Sequence, residues 1–164
     1  MRKLFLLIAI CTSFLWCGCQ SEESSPAAPA SPSDFYTENS MSILEYQMYL
    51  ANKIAVATGQ LNTHMSKLKN VIDGSCTPEN EIEAIDFSVK TLKDDKRDMN
   101  YMHPPETYLT TQEHALEYWQ QAIDKLQEAK EVLSGNTISK DKLMTIISEL
   151  KDIYTSIQSL NSTV

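Results

Sequence analysis

From about Tyr36 to Leu160 the apolar residues return at steps of three and four, in four blocks, with polar residues between them. That period places them on one stripe of a helix, and no stretch alternates as a half-buried strand does. The first block carries Ile43, Leu50, Ile54, Leu61, Met65, Leu68 and Ile72. It predicts a helix from Thr37 or Ser40 to about Asp73, with Gly74 ending it in a left-handed conformation. Thr58-Gly59 lies inside the stripe. A mid-helix glycine costs about 1 kcal/mol against alanine, so a bend or break near Gly59 is an open alternative to a continuous helix.

The second block starts at Thr77-Pro78-Glu79. Thr77 is a hydroxyl acceptor for a free amide, Pro78 has no amide to leave unpaired, and Glu79 suits the positive helix end. Its stripe is Ile82, Ile85, Val89, Leu92, Lys96 and Met99, and Pro104-Pro105 stops it. A third helix follows from Pro105, with Thr110 to Glu113 as a competing capping box. It shows Leu116, Trp119, Ile123, Leu126, Ala129 and Leu133 inward and closes at Gly135. The fourth has Ile138 and Leu143 as a hydrophobic staple around Ser139, then Ile146, Leu150, Ile153, Ile157 and Leu160. Helices of roughly 22–35 residues on short linkers become antiparallel neighbours. The expected fold is all-α, an up-down-up-down four-helix bundle over residues 36–164, with crossings near +20° and a length of about 35–50 Å.

The first 35 residues obey a different pattern. Arg2 and Lys3 precede an apolar run from Leu4 to Trp16, broken only at Thr12 and Ser13, and at roughly 13 residues it is short for a membrane span. Gly18 and Cys19 follow, with Leu15 upstream. Charge, apolar run, small residue and cysteine in this order resemble the bacterial lipoprotein signal. Trp16 and Cys17 depart from that family's leucine and small residue, and Cys17 competes with Cys19 as the acceptor, although bulky Trp16 precedes it. The resemblance implies cleavage after residue 18, a diacylglyceryl group on the Cys19 thiol and acylation, such as palmitate, of the new amine. It also implies attachment to a bacterial cell membrane or outer membrane on the extracytoplasmic side; an uncleaved span or an ordinary secretory signal are the alternatives. Two or three acyl chains, at ~0.8 kcal/mol per buried CH₂, make such attachment effectively permanent. Residues 19–35, with Pro26, Pro29 and Pro32 among Ser and Ala, then read as a tether that reaches up to ~45 Å at about 3.1 Å per residue.

Charge narrows the partners. The chain of 164 residues has a formal net charge of −8. Losing Arg2 and Lys3 leaves 12 basic residues of the original 14 against 22 acidic ones. Such a chain repels nucleic acid, and none is expected as a partner. With Cys11 and Cys17 removed and Cys19 capped, Cys76 stands alone and no internal disulfide is available.

Candidate chemistry is sparse. None of His64, His103 and His114 follows a glutamate by three residues, as a di-metal bundle site requires. Met99, Met102 and His103 are soft ligands of the kind that suit Cu(I), so envelope copper binding through Met and His is the alternative function, with Met65 beside His64 as further ligands. His103-Pro104-Pro105 followed by His114 weakly resembles a pattern in small uncharacterised exported helical domains of bacteria, which implies no activity; His114 lies off the Trp119 stripe and is expected to be exposed. Cys76 sits in a turn with no base nearby in sequence. Lys93 to Asp98 reads as a solvated charged face, with Phe87, Met48 and Tyr49 as off-stripe apolar residues for a docking partner. No Ser-His-Asp framework, phosphate loop or nucleotide fingerprint is present, and only 4 glycines are available to shape irregular backbone. The expectation is a lipid-anchored envelope protein that is not an enzyme, uses no cofactor, has no evident small-molecule substrate and acts by binding another envelope protein or a cell-wall component.

Overall fold

A computed structural model describes residues 41–163, so the expected signal, Cys19 and the expected tether lie outside the described residues. Four helices follow one another: α1 (Ile43–Ile72), α2 (Pro78–Tyr101), α3 (Leu109–Leu133) and α4 (Lys140–Ser159), with short 3-10 turns at Glu106–Tyr108 and Leu160–Thr163. Each helix packs on its sequence neighbours, and α4 returns to α1, which closes an antiparallel four-helix bundle. At 1.5 Å per residue the 30 residues of α1 span about 45 Å.

Local chemistry accounts for most helix ends. Ser42 caps α1 in a reciprocal box with Glu45, its hydroxyl accepting from the Glu45 amide while the Glu45 carboxylate accepts from the Ser42 amide. The box lies later than the expected start at Thr37 or Ser40. Gly74 takes a φ of 77° and lets the chain reverse after Asp73. Pro78 opens α2 as expected, but the Thr77 side chain makes no capping hydrogen bond. Helix α3 starts at neither expected place. The 3-10 turn after Pro105 delays it to Leu109, with Tyr108 as its cap residue. Ser139 caps α4, accepting from the Lys142 amide.

The interior is a continuous apolar column. Leu50, Ile54, Leu61 and Leu68 of α1 meet Ile85, Leu92 and Met99 of α2, Trp119, Ile123 and Leu126 of α3, and Leu143, Ile146, Leu150 and Ile157 of α4, all buried. Some stripe assignments differ from expectation. Ile43 is exposed, Ala115 is buried more completely than Leu116, and Asp95 is buried where Lys96 was expected. Lys96 instead reaches across to Gln120 at 2.6 Å. Gln112 of α3 donates to the Met99 and Met102 carbonyls at 2.8 and 3.2 Å, which satisfies an α2 end that lacks a basic residue in its last turn.

Helix α1 runs without a break through Gly59. A Cβ built there meets nothing within 4 Å, because Gly59 faces the open side of the α1–α2 seam. Gly59→Ala should therefore raise stability by about 0.5–1 kcal/mol through helix propensity alone. Urea unfolding checks this, and a loss of stability would mean that the glycine serves a bend.

Candidate functional site

The helical spacing of small residues opens the site. Ala55 and Gly59 stand one turn apart on α1, and Ala84 and Ser88 one turn apart on α2, so the two helices enclose a groove of about 700 Å³. Its rim includes Phe87, 70 % exposed, and Val56, 40 % exposed. Gln60, Thr63, Lys67, Asn80 and Glu83 supply the polar edge.

His64 and Ser88 line the same groove, and behind them lies a buried polar array. His64 is 2 % exposed, Ser88 6 % and Glu81 0 %. The imidazole Nδ1 lies 2.6 Å from Glu81 Oε1, and its Nε2 lies 2.8 Å from Ser88 Oγ. Glu81 accepts from the Nδ1 hydrogen, so that nitrogen carries the proton. In the neutral ring Nε2 then accepts from the Ser88 hydroxyl. Glu81 sits in the first turn of α2, where the positive helix end favours a carboxylate. Its second oxygen, Oε2, has no hydrogen-bond partner and meets Lys67 Nζ at 3.7 Å.

A second polar cluster joins α1 and α2 further along. Lys53 pairs with buried Asp95, lies 3.8 Å from Asp98 Oδ2, and stands 5.5 Å from the centre of the Tyr49 ring. Burial, then the charges of Asp98 and Asp95, push the Tyr49 hydroxyl up to about 12. The expected solvated run from Lys93 to Asp98 is thus interrupted at Asp95, which is a structural anchor.

The other expected site residues are placed as follows. His103 and His114 are exposed, and His114 stacks on Tyr118 with ring centres 6.1 Å apart. Met99 is buried in the core, and both ring nitrogens of His64 are engaged by Glu81 and Ser88. Among the described residues no group of three or more His, Cys, Asp or Glu is placed to hold a metal ion. Cys76 is half-buried, with Sγ 3.6 Å from the Thr77 carbonyl. Phe87 and Met48 are exposed as expected, and Phe87 belongs to the groove.

Along the linear chain His64 reads as an isolated imidazole, and its partners Glu81 and Ser88 go unnoticed. A signal was present in the spacing: Glu81 and Ser88 are seven residues apart, two helical turns, and so share one face of α2.

Truncating one member of the buried pair strands the other. His64→Ala or Glu81→Ala should each cost about 3–5 kcal/mol, whereas the double variant His64→Leu with Glu81→Met should recover most of that loss. Urea denaturation of the three variants gives the comparison, and single losses below about 1 kcal/mol would remove the pair from the list of fold determinants. No protein-family model, curated protein or solved structure matches this chain, so its function is argued from geometry.

Proposed function

We propose that the protein is a bacterial lipoprotein, held by lipid on Cys19 at the extracytoplasmic face of a membrane, that acts by binding. Its ligand seat is the α1–α2 groove, and its occupant is an apolar-ended segment of a neighbouring envelope protein. The observation that carries the seat is Phe87, an aromatic ring 70 % exposed at the edge of a groove floored by small residues. Exposed aromatics beside a concave surface are the usual anchors of interfaces. The net charge of −8 disfavours two alternatives, nucleic acid and a second like-charged copy of the same surface. Lys67 and Glu83 at the rim supply one charge of each sign to orient an incoming chain.

The anchor rests on the sequence pattern. Cys19→Ala should yield protein that retains its signal and incorporates no labelled palmitate; unchanged labelling and membrane partition would defeat the assignment. The seat is tested separately. A photo-reactive residue at Val56 should capture one protein in native membranes, and Phe87→Ser should abolish that adduct by removing an anchor worth about 2 kcal/mol or more. The same probe at exposed Met144 on α4 should not capture it. Equal capture from both positions would exclude the groove as the seat.

A further inference from the structure

Five threonines inside the helices share one habit. Thr58, Thr63, Thr91, Thr145 and Thr155 each donate the hydroxyl proton to the carbonyl four residues back. That carbonyl is the nearest partner for any hydroxyl inside a helix. Ser88, in the middle of α2, departs from it: its Oγ lies 2.8 Å from His64 Nε2. The opposite ring nitrogen is 2.6 Å from Glu81 Oε1. Hydroxyl, imidazole and carboxylate therefore form one continuous chain, drawn from two helices, with its hydroxyl end on the groove. The carboxylate holds the ring in the tautomer whose free lone pair faces the hydroxyl, which is the arrangement that makes a serine nucleophilic.

We propose that Ser88 is an activated nucleophile and that the groove hydrolyses small carboxylic esters with a short apolar acyl group. The Ser88 Oγ–H proton passes to His64 Nε2 as Oγ bonds to the ester carbonyl carbon. The bond from that carbon to the alkoxy oxygen breaks, and His64 returns the proton to the leaving oxygen, which departs as an alcohol. Water then attacks the acyl-serine, giving a proton to His64. The carboxylic acid leaves and Oγ recovers its hydrogen. The Glu81 carboxylate, 2.6 Å from Nδ1, steadies the imidazolium in both halves.

The apolar acyl chain has Ala55, Val56, Ala84 and Phe87 to lie against. The restriction to esters follows from the helix itself. Amides inside α2 are engaged in its own hydrogen bonds, so an oxyanion at Ser88 has only a side-chain donor such as Gln60, which lines the groove one turn from His64. An ester carbonyl is more electrophilic than an amide and its alcohol is expelled more readily than an amine, so esters are within reach of a site with few oxyanion donors.

The inference needs the groove to admit a ligand, as the binding reading does, but does not need that ligand to be a protein. The full chain in detergent is treated with an alkyl fluorophosphonate, in which Ser88 Oγ displaces fluoride at phosphorus, and separately with p-nitrophenyl butyrate. A single phosphonate adduct should map to Ser88, and labelling and ester turnover should both fall at least about 10²-fold in Ser88→Ala and in His64→Gln. Circular dichroism verifies that each variant is helical. Where either variant unfolds, Ser88→Cys serves instead, with the introduced thiol alkylated by iodoacetamide at least about tenfold faster than Cys76 of the same chain. No adduct on the wild type, an adduct elsewhere, or an introduced thiol that reacts no faster than Cys76 overturns the proposal. Labelling of Ser88 in a chain that captures no protein at Val56 supports this inference and removes the binding reading alone; capture without labelling does the reverse.

Discussion

A buried carboxylate must be satisfied, and that requirement sets how α1 meets α2. Glu81 has no access to solvent, and its Oε1 is satisfied by an imidazole from the facing helix. Sliding α1 by one residue against α2 would rotate His64 away by about 100° and leave both groups buried without partners. Apolar stripes tolerate small slips because methyl groups are interchangeable neighbours. A directional hydrogen bond between two fixed side chains does not, so the polar array selects one register from several that the hydrophobic effect allows. Lys53 with Asp95 repeats the constraint further along the same two helices.

The same pair of helices carries the opening. The α1–α2 seam is the loosest of the four, because Ala55, Gly59, Ala84 and Ser88 present little volume there. The small residues above the buried polar groups leave space unfilled. Stability and the opening beside His64 thus arise from one choice of residues, with large apolar side chains given to the other three seams. Trp119, the largest buried side chain, lies on α3.

Much of the bundle was legible in the chain. The α4 stripe from Leu143 to Leu160 is buried residue for residue, and Gly74, Pro78 and Ser139 mark their helix ends for stated local reasons. Departures have physical causes. Helix α3 starts late because the backbone after Pro105 first winds one 3-10 turn, and neither Pro105 nor Thr110 provides its cap. Asp95 displaces Lys96 from the interior because Lys53, on another helix, supplies the opposite charge.

By itself the sequence determined the periodicity, and with it four helices, their approximate ends and the apolar faces that must be hidden. It also held the lipoprotein-like pattern around Cys19, which is a linear signal. Only the tertiary structure decided which polar residues meet. His64 lies 17 residues from Glu81 and 24 from Ser88, so their contact depends on the rotation of two helices about their axes. Helical period assigns a residue to a face of its own helix; the partner across the seam is chosen by packing, which is a property of the whole bundle.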